Sequence, residues 1–225
     1  MEISPFYDKK VTCIHCRGNF TTTRIRSRFV RVSSHESDFK PVYSDSEVNP
    51  IFYKVSVCPH CGFSITDEFS PYFAPGTKED IAERITSKWN GRSFGTERNI
   101  NEAIETYKLA YLSAMFKKEK ALTLAGLTLR VAWLYRDKGA ELEEQRFLTI
   151  ARNFYNASFS EGDFAGTQMS ETRVLYLIAE LSWKIGDKDE AIKNFSRVFE
   201  NQRTSTEPKI IKMAKERWQE IRAIK

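Results

Sequence analysis

The chain has 225 residues, of which 41% are hydrophobic and 29% are charged, a composition that suits a soluble protein with a true core. Its formal net charge of +5 is too small to indicate nucleic-acid binding by itself. No run approaches the roughly 20 apolar residues that span a bilayer, and the N-terminus lacks the apolar core of a signal peptide. These absences favour a cytoplasmic protein with no membrane partner.

Residues 1–75 predict a small β domain. They are rich in Ser, Thr, Pro and aromatic residues and show short strand-like runs without helical periodicity. Residues 22–32 partly alternate between apolar and polar side chains, as a half-exposed strand does. The polar residues 33–50 that follow predict an irregular loop.

The candidate strand over residues 22–32 is strongly basic. Alternate residues of a strand point the same way, so Arg24, Arg26 and Arg28 would share one face, and Arg31 follows them. Aromatic residues nearby could stack on bases. Basic side chains on an exposed strand edge also prevent strand-to-strand aggregation, so nucleic-acid binding through these arginines is the alternative function rather than the main one.

All four cysteines lie in the same region, in two pairs: Cys13 with Cys16, and Cys58 with Cys61. Two residues between cysteines let one tight turn present two thiolates, and tetrahedral zinc takes four such ligands at about 2.3 Å. Gly62 follows the second pair, where such a turn often needs a positive φ. The pattern predicts one structural zinc ion bound by all four cysteines.

Other uses of paired cysteines are less favoured. Disulfides need an oxidising compartment, and nothing in the sequence directs export. A redox-active pair would accompany a βαβ pattern, which these motifs lack. An iron–sulfur cluster also accepts four cysteines and stays an alternative to zinc. His15 and His60 lie inside the two motifs and could replace a cysteine, but such residues more often support a metal site from outside.

Residues 76–225 predict an all-α domain, so the whole chain is expected to be α+β. Apolar side chains recur there at helical spacing. Three residue pairs fit a helix cap with an acidic residue in the first turn: Thr77 with Asp80, Asn99 with Glu102, and Asp187 with Glu190. Seven helices are predicted, near residues 78–90, 99–116, 119–137, 141–157, 168–185, 188–201 and 207–224.

The predicted helices contain a repeat. The motif Glu-Ala-Ile at residues 102–104 recurs at residues 190–192, and a weaker copy lies between them. Residues 185–195 resemble the turn and second helix of a tetratricopeptide repeat, although that family's usual period of 34 residues is shorter than the spacing here. The resemblance implies an array of stacked helical hairpins, a fold that offers concave surfaces to partner segments.

The segment from Asn49 to Phe63, the paired cysteines and the helical repeats together resemble an uncharacterised bacterial family, catalogued as domain of unknown function 2225. The resemblance covers nearly the whole chain, although tyrosine is more usual in that family at the position of Phe63. It implies a bacterial protein with a zinc-ribbon-like β domain. It implies no reaction.

Two charged residues lie within apolar helical stretches. Arg130 is the only charge in residues 122–135, and Glu180 is the only one in residues 174–183. Such a charge must reach solvent, find a partner or line a binding groove. Exposure of the charged end or mutual pairing is the simpler interpretation. The functional hypothesis places both residues in the groove of the array, where they bind the charged end of a peptide.

The sequence shows no catalytic constellation. Two of the three histidines lie inside the cysteine motifs, and His35 lies in a polar loop whose adjacent serines cannot adopt the geometry of a catalytic triad. We therefore expect a non-enzymatic adaptor or scaffold that binds a protein or peptide partner through its helices. The alternative is a nucleic-acid-binding protein, whose affinity would fall steeply with salt.

Overall fold

The computed structural model describes residues 3–44, 48–203 and 205–223. Within these residues the N-terminal part contains small antiparallel sheets and the remainder contains helices, so the fold is α+β. Below, residues 3–75 are called the β region and residues 76–223 the helical region. Their division into two separate domains stays a prediction.

The described β region contains three sheets of two strands each. The strands are β1 (Phe6–Thr12) with β2 (Asn19–Ile25), β3 (Val32–His35) with β4 (Pro41–Tyr43), and β5 (Ser56–Val57) with β6 (Ser64–Ile65). The first and third sheets are hairpins whose turns, residues 13–18 and 58–63, contain the two cysteine pairs. The topology therefore puts each pair at the end of a hairpin.

The predicted strand over residues 22–32 is interrupted, and this prediction is wrong in part. β2 ends at Ile25, and a 3-10 turn at Ser27–Phe29 precedes β3. The alternation of side chains continues through the break, so periodicity alone does not reveal it. The arginines of this segment therefore do not share the face of one continuous strand.

Seven α-helices lie within the described residues, in the predicted order. They are α1 (Thr77–Arg84), α2 (Ile100–Lys117), α3 (Ala121–Asp137), α4 (Glu141–Glu161), α5 (Glu171–Lys184), α6 (Lys188–Glu200) and α7 (Pro208–Ala223). The last predicted helix reaches residue 224, which lies outside the described residues. Among these helices, none combines the length and the apolarity needed to cross a bilayer.

Two of the three predicted helix caps are confirmed. Asn99 forms a full capping box with Glu102 at the start of α2, and Asp187 accepts a hydrogen bond at 3.3 Å from a backbone N–H in the first turn of α6. The prediction for Thr77 is wrong. Gly76 precedes α1 instead, with a φ of +80° and no side-chain cap, because glycine adopts this conformation without strain.

Helices that follow one another along the chain pack side by side, from α1 against α2 to α6 against α7. The largest hydrophobic core joins α2 to α5 with Ile51, Val55 and Val57 of the β region. A second core lies between α5, α6 and α7, and a small third one surrounds the buried cysteines. The main core is therefore shared by both regions.

The β region also lies across one face of α3 and α5. Arg136 of α3 forms an ion pair with the buried Asp38 at 2.7 Å, and Tyr176 of α5 donates a hydrogen bond to the carbonyl of Ser37 at 2.9 Å. Residues 36–40 therefore cover part of the surface that these two helices would otherwise expose.

Candidate metal centre

The two cysteine pairs occupy equivalent positions in the two hairpin turns. In each turn the N–H of the first cysteine donates to the carbonyl of the turn's last residue, at 2.9 Å from Cys13 and 3.0 Å from Cys58. The carbonyl of that cysteine accepts a hydrogen bond from the residue after the second cysteine, at 2.9 Å in both turns. The same backbone arrangement therefore presents two thiols twice.

The residue after the second cysteine has a left-handed backbone in both turns. It is Arg17 in the first turn, with a φ of +66°, and Gly62 in the second, with a φ of +73°. The positive φ expected at Gly62 is thus confirmed. Gly62 also admits Trp89, because a Cβ at this position would lie 2.6 Å from indole atoms. Arg17 adopts the same conformation with a side chain, which glycine would do with less strain.

The turns face each other, so the four sulfurs form one cluster. The Sγ of Cys13 lies 3.7 Å from that of Cys61, and the Sγ of Cys16 lies 3.6 Å from that of Cys58. All four sulfurs lie within 4.8 Å of one another. Metal–sulfur bonds of about 2.3 Å in a tetrahedron put sulfurs about 3.8 Å apart, whereas a disulfide needs about 2.05 Å. The cluster is compatible with one tetrahedral metal ion.

The helical region closes over this cluster. Trp89 donates its Nε1–H to the carbonyl of Pro59 at 2.9 Å, and the Thr86 hydroxyl donates to the carbonyl of Cys61 at 3.2 Å. Cys16 is the exposed member of the cluster, and the other three cysteines are buried. The apolar side chains around the buried sulfurs include those of Phe63, Ile81 and Ile85.

The histidines inside the turns serve another purpose. His15 donates its Nε2–H to the carbonyl of Lys78 at 3.2 Å, and His60 donates its Nε2–H to the carbonyl of Asn19 at 3.1 Å. Neither belongs to the group of side chains close enough to share an ion. Each ring instead ties its turn to a neighbouring segment.

Thiolates at these distances repel one another unless a cation lies among them. The hydrogen bond with Cys58 raises the pKa of Cys13, and hydrogen bonds with Cys13 and Cys58 raise the pKa of Cys61. A divalent cation would offset the repulsion between thiolates and favour their ionised form. The electrostatics of the cluster therefore suit a bound metal ion.

The arginines of the nucleic-acid alternative separate in the structure. Arg24 turns inward, where its Nη1 donates to two backbone carbonyls at 2.5 and 2.9 Å. Arg26 and Arg28 are exposed, and each lies over an aromatic ring. Arg31 is exposed on the segment before β3. Three of the four therefore stay on the surface, while Arg24 supports the fold.

Arg130 and Glu180 lie apart and pair with other residues. Arg130 forms a bidentate ion pair with Glu68 of the β region, at 2.6 and 3.0 Å. Burial lowers the pKa of Arg130, but the Glu68 carboxylate outweighs this and raises it above its ordinary value. Glu180 is fully buried, and Arg217 of α7 donates to both of its oxygens at 2.9 Å. Glu180 therefore holds α7 against α5.

Arg130 lines a cavity of about 610 Å³ between the β region and helices α3, α4 and α5. Its other charged and polar lining residues were not predicted from the sequence, because they are distant in the chain. One signal was available at Gly126, a glycine inside an apolar helix and four residues before Arg130, hence on the same helical face. Other lining residues include Glu68, Leu122, Tyr155, Met169 and Arg173.

Comparisons with known proteins give a family and no activity. Searches of curated proteins and of solved structures found no match. The model of a family described as "Uncharacterized protein conserved in bacteria (DUF2225)" matches residues 6–221, a range that includes both cysteine turns. Because this match spans almost the whole chain, the protein belongs to that bacterial family.

Proposed function

We propose that this protein is a non-enzymatic adaptor that holds one structural zinc ion and binds a protein or peptide partner through its helical region. The observation that carries the proposal is a four-cysteine cluster packed beside helices that keep an open, charge-lined cavity. When all four positions on the ion belong to cysteine, no position is left for a substrate. Binding is then the activity that the remaining surface supports.

Zinc is the ion that suits this cluster best. It accepts four thiolates in a tetrahedron, and the sulfur–sulfur distances of 3.6 and 3.7 Å fit that geometry. An iron–sulfur cluster places several irons and sulfides between its cysteines, so it would need wider separations. The zinc would hold together two zinc-ribbon-like hairpin turns. Thiols stay available for metal in a reducing compartment, which supports a cytoplasmic location.

We interpret the helical region as a tetratricopeptide-like array. Its units would be three hairpins, α1 with α2, α3 with α4, and α5 with α6, and α7 would close the end. The side-by-side packing of consecutive helices supports this interpretation. So does the turn before α6, where Gly186 has a φ of +84° within the segment that resembles the repeat family.

The partner site that we propose is the cavity beside Arg130. Stacked hairpins present an extended concave face to partner segments, and α3 and α5, the first helices of two units, border this cavity. The β region already covers part of their surface through residues 36–40. The proposal therefore keeps Arg130 as a partner-binding residue. It assigns Glu180 a structural role, because Arg217 occupies its carboxylate.

Metal analysis of the purified protein tests the first half of the proposal. We expect one zinc per chain, absent from Cys61→Ser and retained by His60→Ala, because the His60 ring bonds to a backbone carbonyl instead. Iron in place of zinc, or an unchanged zinc content in Cys61→Ser, would contradict the assignment.

An affinity experiment tests the second half. Immobilised zinc-loaded protein is exposed to lysate of its bacterial host, with and without nuclease. We expect one protein to be retained near stoichiometry despite nuclease and lost with Arg130→Glu. The matched charge reversal Arg146→Glu, on the exposed surface of α4, should leave it bound. Retention that nuclease or salt abolishes, and that Arg26→Glu removes, would support the nucleic-acid alternative instead.

A further inference from the structure

The cavity beside Arg130 has the size and composition of a ligand site. Its volume of about 610 Å³ lies within the range of about 300–1,000 Å³ that is usual for small-ligand pockets. Apolar side chains such as Leu122 and Met169 line it together with charged and polar groups. Such a mixture offers apolar contact area and a few groups that fix orientation.

The floor of the cavity is opened by a glycine. Gly126 lies inside α3, where glycine destabilises a helix by about 1 kcal/mol relative to alanine. A Cβ at this position would lie 3.1 Å from Nη1 of Arg130 and 3.7 Å from Oε2 of Glu68. The missing side chain therefore lets a guanidinium and a carboxylate lie close against the helix.

The walls carry two polar side chains, Tyr155 of α4 and Arg173 of α5, and Arg173 also forms an ion pair with Glu207 at 2.6 Å. The Tyr155 side chain is buried and lines the cavity. Arg173, also on the lining, has a buried Nε–H without a partner. Buried donors are normally satisfied, so the Arg173 Nε–H points to a ligand that accepts hydrogen bonds.

We propose that this cavity binds the C-terminal carboxylate of a peptide, which takes the place of Glu68 on Arg130; the proposal rests on the adaptor function above and names its ligand. The Glu68 carboxylate shows the fit, because it already occupies the guanidinium in a bidentate pair at 2.6 and 3.0 Å. Its side chain is 48% exposed, so Glu68 can return to water when a ligand displaces it.

The charge balance of the cavity favours a monoanion. Its basic lining residues are Lys120, Arg130 and Arg173, and acidic side chains of Asp67, Glu68 and Glu119 also line it. A single carboxylate that replaces Glu68 leaves this balance unchanged. A doubly charged phosphate group would meet the repulsion of the remaining carboxylates. Tyr155 and Arg173 can then bind the peptide's last carbonyl groups.

The test uses a pool of N-acetylated tetrapeptides of mixed sequence, once with free C-terminal carboxylates and once as C-terminal amides. The pool is titrated into the full-length, zinc-loaded protein, and backbone amide shifts are followed by NMR. We expect saturable shifts around Gly126 and Tyr155 with the free acids and much weaker ones with the amides.

Variants test whether the peptide carboxylate replaces Glu68 on Arg130. Glu68→Gln should tighten binding about fivefold because it removes the competing carboxylate. Glu143→Gln, which removes the carboxylate that pairs with Arg146 on the exposed surface of α4, should leave binding unchanged. Arg130→Gln should weaken binding at least about tenfold, and Arg130→Lys should weaken it less, since it keeps the charge but loses the planar fork.

Two outcomes would overturn the proposal. Equal binding of acids and amides would show that the carboxylate is not recognised, and weaker binding by Glu68→Gln would show that no exchange occurs. If neither pool binds while a host protein is still captured in an Arg130-dependent manner, the carboxylate site is refuted and the adaptor function stands. If the pool binds but no host protein is captured, the peptide site stands and the adaptor function fails.

Discussion

The β region and the helical region keep their shapes by different means. β1 buries none of its seven residues, whereas α3 buries 12 of its 17. Sheets of two strands are marginal by themselves, and the small core around the cysteines consists mainly of the sulfurs and a few apolar side chains. The helices therefore supply most of the main core, while the β region shares that core and is held by contacts with α3 and α5. Its two cysteine turns meet in a cluster that is compatible with a metal ion.

Loss of a cysteine should show the largest difference in stability between the two regions. We expect Cys61→Ser to unfold the two cysteine turns while the helices persist, because structural zinc contributes about 10–16 kcal/mol in small zinc domains. NMR would show loss of the dispersed signals of residues 13–18 and 58–63, and circular dichroism would keep its helical signal. Unchanged signals from both turns would contradict the metal's structural role. His60→Ala serves as the control within the same turn.

The end of the helical region depends on the ion pair between Arg217 of α7 and the fully buried Glu180 of α5. Arg217→Met leaves the fully buried Glu180 with only Lys184 at 3.8 Å, so we expect a loss of about 3 kcal/mol of unfolding free energy. Urea unfolding measures it, and hydrogen exchange should show α7 opening first. Lys212→Met, at a side chain that is 77% exposed, should change stability by less than about 0.5 kcal/mol. Equal losses of unfolding free energy in both variants would show that the Arg217–Glu180 pair does not hold α7 against α5.

The contact between the regions should depend on pH through Asp38. Burial by itself would raise the pKa of Asp38, but hydrogen bonds and charge from Arg136 lower it below the ordinary value of 3.8. Because the folded-state pKa is the lower one, the carboxylate stabilises the fold above pH 3.8, and this contribution is lost as pH falls through the folded value.

Asp38→Asn should therefore destabilise the protein by about 2 kcal/mol at neutral pH, and the difference from the original protein should shrink in acid. Denaturant unfolding at several pH values measures both quantities. A difference that stays constant with pH would mean that the Asp38 charge does not join the regions. Asp67→Asn, at an exposed side chain, is the matched control.

The smallest effects should distinguish the two cysteine turns from each other. Arg17→Gly should stabilise the protein by about 1 kcal/mol, because it relieves a left-handed backbone at an exposed arginine. Gly62→Ala should destabilise it, since the added Cβ would meet the Trp89 indole at 2.6 Å. Thermal unfolding of the zinc-loaded variants measures both changes. If both substitutions changed stability in the same direction, the two turns would not be equivalent, in contrast to what their matching hydrogen bonds suggest.

Local patterns in the sequence predicted the cysteine cluster and most of the helices. The two turns are built within six residues each, so spacing alone identifies the two sulfurs that each turn presents. The two pairs then meet through contacts across 42 and 48 residues. The capping box at Asn99 spans four residues, and the start of α2 follows from it. The prediction of one strand over residues 22–32 was wrong because a 3-10 turn interrupts the strand without interrupting the alternation of side chains.

The sequence by itself determined the α+β class, the two cysteine pairs and the order of the helices, because each depends on residues a few positions apart. Only the tertiary structure decided which partner each buried charge has. Arg130 pairs with Glu68 across 62 residues, and Glu180 pairs with Arg217 across 37. Neither pairing has a local signature, since each depends on how the regions and helices stack. The cavity that gives Arg130 its proposed role exists only once the β region lies across α3 and α5.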